Sequence, residues 1–393
     1  MRLCMSTSQA IFPWEGDNVR AVRESVREFA EKKVAPKARE IDATNTVPES
    51  LLREGAEMGF FALRVPEEYG GPGLSLLESV VAIEELSRAS SGYGLIAVVS
   101  GSMVVHPILK FASEEVKEKY LSRLAKGAIG AFALTEPCCG TDVASLHMTT
   151  AKREGGEYVV SGQKIFITNS AYADFFIVAA RTGKLEERHR GISLLIVDRS
   201  DCVEVSKLEM MGYRGSGTSI VYFNDCRVPS ENLIGQEGGG FKLVMHTLNE
   251  GRISTSASGL GVMQAAFDAA LKHAGERESM GRPIIEHQMV SSMIAEMLVR
   301  LETSRLLVYT AAHKLDTNSP DYIKYASLAK LHTATAGVDL VRMAMQVLGG
   351  IGYSRESDVE RYYRDIKMIE IGDGTNEVQR MVLTKFLQGR IRP

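Results

Sequence analysis

Asp373 stands between two glycines in the segment Ile371-Gly372-Asp373-Gly374-Thr375-Asn376-Glu377-Val378-Gln379-Arg380. Glycine on both sides lets the backbone come close to a bound molecule, and a carboxylate in such a turn is a candidate general base. The same three residues are also ordinary turn chemistry. What lifts them above a plain turn is the company they keep upstream.

Four upstream groups of residues keep their order along the chain. Phe132-Ala133-Leu134-Thr135-Glu136-Pro137-Cys138-Cys139-Gly140-Thr141-Asp142 comes first, followed by Gly162-Gln163-Lys164-Ile165-Phe166-Ile167-Thr168-Asn169. Met211-Gly212-Tyr213-Arg214, Ser216, Thr218, Val228-Pro229, Asn232 and Gly238-Gly239-Gly240-Phe241 form the third. The fourth joins Arg277, Gly281 and Gln288 to Gln346-Val347-Leu348-Gly349-Gly350-Ile351-Gly352-Tyr353. Each is ordinary alone: Phe-Ile-Thr is what a strand prefers, and Thr375 is a plausible helix N-cap.

The elements that must position these residues follow an α, β, α order. Val19, Val22, Val26, Phe29 and Ala30 recur at helical spacing and stop before Pro36, and helices are expected to continue to about residue 127, broken by a Gly- and Pro-rich patch at 66–73. A second apolar helical run covers 76–86. Short β-rich runs follow at 157–160, 165–168, 174–180, 192–197 and 219–223. Beyond Gly238 the helical period returns, with Ile294, Met297, Leu298, Leu301 and Val308 on one face of a long helix.

The chain has 393 residues, 45% hydrophobic and 24% charged, with a formal charge of −3 and a pI near 6.3. Interspersed charge leaves no basic stripe for nucleic acid and no polybasic run for a membrane surface, so small-molecule chemistry is favoured. No run approaches ~18 consecutive apolar residues, and MRLCMSTSQA has no signal-type apolar core, so a cytoplasmic protein without membrane insertion is expected. Cys4, Cys138, Cys139, Cys202 and Cys226 are odd in number and contain no CxxC, and are read as reduced thiols. No HExxH, GxGxxG or GxxxxGK[ST] occurs, so no metal is expected.

At these separations the TEP-x-x-G-[ST]-D, G-x-K-x-[WF]-I-T-N and Q-x-L-G-G-x-G-Y patterns make the chain resemble the acyl-CoA dehydrogenase family over essentially its whole length. The resemblance implies an α+β multidomain fold: an N-terminal all-α domain (1–127), a small β-barrel-like middle domain (128–236) and a C-terminal four-helix-bundle domain (237–393). It implies FAD between the middle and C-terminal domains, held without a Rossmann unit. It also implies a homotetramer built as a dimer of dimers, with the dinucleotide tail of FAD reaching a neighbouring subunit.

Residue by residue, the resemblance places Phe132, Leu134 and Thr135 at the pyrimidine edge of the flavin, and Phe166, Ile167 and Thr168 against its ring and N5. Arg277 and Gln288 match contacts to the pyrophosphate and adenine, an Arg fork being suited to phosphate. Gln346, Val347, Gly349 and Gly350 match backbone contacts to the same tail, and Thr375 and Glu377 are further expected FAD contacts. Thr141 is expected to serve cofactor and CoA together. Asn249, Arg252, Gly372 and Gly374 are expected around the acyl-CoA.

The implied reaction is α,β-dehydrogenation of an acyl-CoA to a trans-2-enoyl-CoA. Asp373 takes the α-proton, the β-hydride goes to flavin N5, and an electron-transferring flavoprotein is the expected acceptor. The thioester oxygen needs donors as enolate charge develops, and the N–H of Asp373 is one.

Two departures from the common family pattern carry consequences. The base is usually Glu, and Asp373 reaches about 1.5 Å less far. Members with the base on a helix carry it where this chain has Gly251; Glu250, one residue earlier, is the alternative and points ~100° away on a helix. Gly372 stands where a Tyr is frequent, and its lack of a side chain predicts room for a branched or bulky acyl group, with longer straight chains as the alternative. Cys138-Cys139 fill a spot often held by small residues and are read as two buried small side chains. The alternatives on the same scaffold are an acyl-CoA oxidase, for whose usual extra C-terminal domain 393 residues leave no room, a nitroalkane oxidase with its Asp base, and a catalytically silent assembly factor.

Overall fold

The computed structural model describes residues 16–390. Cys4 and the MRLCMSTSQA segment lie outside the described residues.

Helices α1 (Asp17–Phe29), α2 (Ala38–Thr44), α3 (Glu49–Glu57), α4 (Leu76–Ala89), α5 (Ser91–Val98), α6 (Val105–Phe111) and α7 (Glu114–Ala125) come first. The predicted stop before Pro36 does not occur. A π turn at Ala30–Val34 and a 3-10 turn at Ala35–Lys37 carry the chain into α2. Pro36 sits at the start of that short turn, where a missing N–H costs little. Helix α4 starts at a capping box, with Glu78 N donating to Ser75 Oγ (3.2 Å) and Ser75 N to Glu78 Oε2 (2.8 Å). Among the described residues one helical stretch, Ser91–Phe111, is long and apolar enough to cross a membrane, and 78% of its most apolar window is buried within the protein. It is a core helix.

Strands β1 (Gly130–Ala133), β2 (Thr150–Glu154), β3 (Glu157–Ile167), β4 (Phe175–Arg181), β5 (Ile192–Asp198), β6 (Val203–Lys207), β7 (Ser219–Pro229) and β8 (Leu233–Ile234) make one mixed sheet in the order β6-β7-β3-β2-β4-β5-β8, with β1 parallel to β4. Both faces of β4 are buried. Phe175, Ile177 and Ala179 join the core shared with the helices, while Phe176, Val178 and Ala180 join a second core on the far side. The two predicted runs at 157–160 and 165–168 are one strand, β3, whose pairing with β7 slips between Val160 and Gly162 and again between Lys164 and Ile167. The bulges hid the continuity by breaking the two-residue period.

The reading of the cysteines as separate thiols is corrected. Cys202 and Cys226 form a disulfide with an S–S distance of 2.05 Å. Asp225, at φ 52°, bulges β7 and turns Cys226 toward the start of β6, where Asn224 N donates to Cys202 O. A cross-strand pair 24 residues apart leaves no local spacing signal. Cys138 and Cys139, adjacent in the chain, are joined as a second disulfide, and because Cys138 is exposed only Cys139 matches the expected buried side chain.

The C-terminal helices are α8 (Gly240–Glu276), α9 (Gln288–Asp316), α10 (Tyr322–Leu348), α11 (Val359–Ile369) and α12 (Asn376–Leu387), with a small hairpin, β9 (Glu278–Ser279) and β10 (Arg282–Pro283), between α8 and α9. On α9, Ile294, Met297, Leu301 and Val308 are buried as predicted, but Leu298 is 38% exposed; it lies one residue off the apolar stripe. The three parts of the chain meet at Asp365 of α11, which accepts Ser91 Oγ (2.6 Å) from α5 and Tyr213 N (2.7 Å) from the loop before β7. Burial pushes the Asp365 carboxyl above its usual range, against the hydrogen bonds from Ser91 and Tyr213.

Candidate active site

Helix α11 ends at Ile369 and α12 begins at Asn376, so the chain must turn within residues 370–375. Asp373 (φ 52°) and Gly374 (φ 90°) both take left-handed backbone, which Asp tolerates better than most side chains. The N–H groups of Ile371 and Gly372 both donate to Met368 O at 2.9 Å, and Thr375 caps α12 by accepting Val378 N. From α10, Lys330 Nζ donates to Ile369 O and, at 3.2 Å, to Gly374 O, which also accepts Gln379 Nε2 at 2.9 Å. The turn is thus clamped on both sides of the carboxylate. Burial lowers the Lys330 pKa to about 8, with Asp373 acting the other way.

Helix α8 supplies the facing wall. Thr255 Oγ1 donates to Asp373 Oδ2, and Arg252, nearly a turn earlier and 6% exposed, donates Nη1 to Asn249 Oδ1 at 2.7 Å. Arg252 Nε has no partner among the described residues. Burial lowers the Arg252 pKa, and the Asp373 carboxylate opposes that shift. Asp373, Thr255, Arg252 and Asn249 therefore form one polar cluster, and the backbone N–H of Asp373 donates to no described protein group.

Glu250 lies on another face of α8 and is fully buried. It accepts Ser102 Oγ at 2.8 Å, pairs with His106 Nδ1 at 2.6 Å and forms an ion pair with Arg64. Burial alone would raise its pKa, but Arg64 and His106 outweigh that and hold it well below the usual carboxylate range. A cavity of about 380 Å³ bordered by Arg64, His106, Lys110, His246 and Tyr322 adjoins this network.

Gly251, between Glu250 and Arg252, faces Met103: a Cβ there would meet its Cε at 3.2 Å and Sδ at 3.3 Å. At Gly372 a Cβ would stand 2.8 Å from Met368 Sδ.

At the sheet edge Phe132 and Leu134 are buried, Thr135 is half-buried and Thr141 is exposed. Lys164, fully buried on β3, donates to Leu134 O and Glu136 Oε1, both at 2.9 Å, and Ile165 N donates to Thr135 O at 2.9 Å. Burial lowers the Lys164 pKa to about 8, against the pull of Glu136. Phe166, at φ 60°, holds its ring 56% exposed beyond the strand, with Ile167 buried behind it and Thr168 Oγ1 3.3 Å from Thr218 Oγ1. Arg277 at the end of α8, Gln288 at the start of α9, and Gln346, Gly349 and Gly350 at the end of α10 are exposed, while Val347 is buried. No described contact ties this group to the Asp373 cluster. Glu377 is exposed and pairs with Arg380 at 3.4 Å.

Sequence reasoning missed Lys330, Thr255 and the Lys164–Glu136 pair as positioning groups. Lys164 and Glu136 stood inside quoted motifs, so a buried charge there was a readable signal; Lys330 and Thr255 stood in no motif.

Three consecutive family descriptions match the chain: acyl-CoA dehydrogenase, N-terminal domain over residues 16–128, middle domain over 131–226 and C-terminal domain over 238–388. The mitochondrial short-chain specific acyl-CoA dehydrogenase of Rattus norvegicus is 39% identical over 369 residues, 93% of this chain and 89% of that protein. Butyryl-CoA dehydrogenase from Megasphaera elsdenii has TM-score 0.92 and 36% identity, covering 95% of this chain and 98% of that one. A chain in the structure of the electron transferring flavoprotein of Acidaminococcus fermentans also has TM-score 0.92, with 39% identity over 95% of this chain and 98% of that one.

Proposed function

The chain belongs to the acyl-CoA dehydrogenase family, and on that premise we propose that it oxidises short acyl-CoA thioesters to trans-2-enoyl-CoA with Asp373 as the base. The observation that carries the choice of base is the contrast between two carboxylates. Glu250 is saturated by Ser102, His106 and Arg64, whereas Asp373 gives one oxygen to Thr255 and has no described partner on the other. A base needs a free lone pair aimed at the proton it removes.

FAD is the cofactor, and when bound it supplies the hydride acceptor. The chain fits it: Phe166 leaves an uncovered aromatic ring beside Thr168, and a Cβ on Gly349 or Gly350 would meet nothing within 4 Å, so backbone there is open to a ligand. Arg277 offers an exposed fork for pyrophosphate. Lys164 holds the Leu134 carbonyl and Ile165 holds that of Thr135, which keeps the pyrimidine-edge segment in place.

Asp373 then accepts the α-proton, while its own unpaired N–H is poised to donate to the thioester oxygen as charge grows there. Arg252 and Lys330 lie buried beside the turn, and the Asp373 carboxylate works against the lowering of both their pKa values by burial. Asn249, fixed by Arg252, and Thr141 at the exposed loop are the proposed CoA contacts.

The short chain is read from Met103. Gly251 shares a helix face with Thr255, and the Met103 thioether closes against it one turn from the base. Two similar proteins are named for short substrates, the rat short-chain enzyme and butyryl-CoA dehydrogenase. A second reading keeps a branched short chain, since Gly372 removes a side chain; Met368, however, occupies much of that space. An electron-transferring flavoprotein is the proposed acceptor, supported by the Acidaminococcus structure. A homotetramer is proposed on the exposed Met280 (93%) and Met289 (79%) that flank Arg277 and Gln288.

Anaerobic titration of the purified yellow protein with butyryl-, isovaleryl- and octanoyl-CoA tests this. Bleaching of the flavin is expected with butyryl-CoA first; faster bleaching by isovaleryl-CoA would favour the branched reading, and no bleaching by any thioester would end the proposal.

A further inference from the structure

We propose that Cys138 and Cys139 form a thiol–disulfide exchange site, on the loop between β1 and β2, that takes low-molecular-weight disulfides. Glu136 N donates to Cys139 O (3.2 Å) and Cys139 N to Glu136 O (3.0 Å), so Pro137 and Cys138 form the tip of a tight turn. Cys138 is exposed there, Cys139 is buried behind it, and the structure joins them as a disulfide, so reduction leaves the two thiols side by side. One thiol is therefore open to a reagent, and the second is placed to resolve what forms on the first.

The surroundings favour attack by Cys138. His147 Nδ1 lies 2.8 Å from Ser145 O, an atom that only accepts, so Nδ1 carries a hydrogen; Nδ1 also lies 3.7 Å from Cys138 Sγ, a contact that stabilises a thiolate. Glu136 Oε2 lies 3.6 Å from that sulfur. Its charge is already met by the N–H groups of His147, Met148 and Thr149 and by Lys164 Nζ. Ligand atoms of Glu136, Cys138, Cys139 and His147 lie within 4.8 Å of one another, a spacing that would also suit a thiophilic cation. The saturated Glu136 and the hydrogen on His147 Nδ1 weigh against the cation, because two of the four donors are engaged.

The exchange balances without a further oxidant. The Cys138 thiolate attacks one sulfur of RSSR, forming a mixed disulfide and releasing RS⁻, which takes up the proton that Cys138 lost. Cys139 then attacks Cys138 Sγ, the Cys138–Cys139 bond forms, and the second RSH leaves with the Cys139 proton. Two protein thiols are oxidised and RSSR is reduced to two RSH. Closing two adjacent residues into a small ring stiffens the turn between Thr135 and Thr141. That acyl-CoA turnover responds rests on the functional reading above.

The test uses holoenzyme treated with oxidised glutathione or dithiothreitol, then alkylated and mapped by mass. The expected result is a reversible loss of two hydrogens in the peptide holding Cys138 and Cys139, a stable glutathione adduct at Cys138 in Cys139→Ser, and no adduct in Cys138→Ser. In the wild type kcat/KM for butyryl-CoA is expected to fall about fivefold or more on oxidation and to recover on reduction. Separate alkylatable thiols after treatment, or unchanged kcat/KM in the mapped disulfide form, would overturn the proposal. So would stoichiometric Zn²⁺ binding lost in Cys138→Ser with no disulfide formed. Mapping does not depend on turnover, so failure of the untreated enzyme to oxidise any acyl-CoA would count against the functional reading alone.

Discussion

Lys330, buried in the middle of α10, donates to the carbonyl of Gly374 at 3.2 Å, and that carbonyl belongs to the residue following Asp373. Its other acceptor is the last carbonyl of α11, Ile369 O. One ammonium group thus satisfies a helix end and fixes the turn that carries the proposed base. Its place, 44 residues before Gly374, makes the geometry of the base a property of the packed bundle.

Lys330→Met should leave the chain folded and lower the rate of flavin bleaching by butyryl-CoA with little change in thioester affinity. In the wild type, raising pH through about 8 should slow bleaching as the ammonium is lost. Stability should move the other way. The folded pKa of about 8 lies below the unfolded value of 10.5, so the unfolded chain binds more protons between them, and this group's contribution to stability rises with pH across that window. Stopped-flow absorbance and thermal melts from pH 7 to 10 would show it; parallel loss of both would mean that Lys330 only holds the fold.

Asp373→Asn preserves shape but cannot accept the α-proton. Bleaching by butyryl-CoA should slow by about 100-fold or more, with FAD retained. A near wild-type rate in this variant would move the base elsewhere.

Glu250→Gln removes the charge shared by Arg64 and His106. Breaking a buried pair costs about 3–5 kcal/mol, so a clear drop in thermal stability is expected. The bleaching rate of the folded fraction should stay within a few-fold. A stable, inactive Glu250→Gln would reverse the assignment of the two carboxylates.

Gly372→Tyr must displace Met368, whose Sδ lies 2.8 Å from the position of the new Cβ. A thioether can move, so a cost of about 1–3 kcal/mol in stability is expected. If Gly372 shapes the acyl pocket, isovaleryl-CoA should lose more kcat/KM than butyryl-CoA; equal losses would show that it does not.

Arg277→Ala should weaken FAD by about 1.5–3 kcal/mol, the worth of a charged hydrogen bond, in equilibrium dialysis. Unchanged affinity would remove Arg277 from the proposed cofactor contacts.

Local signals in the chain carried the order of helical and β segments, the glycine-flanked Asp373, the Thr375 cap and the motifs that resemble one family, because periodicity, turn chemistry and capping act over a few residues. Only tertiary structure decided which carboxylate is free and which is saturated. Glu250 meets Ser102 and His106 across 148 and 144 residues, and Thr255 meets Asp373 across 118. Packing also exposed Cys138 beside a buried Cys139, paired Cys202 with Cys226 through a bulge, and carried the helix past Pro36. Each depends on where distant elements dock. Docking is set by the buried area summed over the whole core, and no single window of sequence contains that sum.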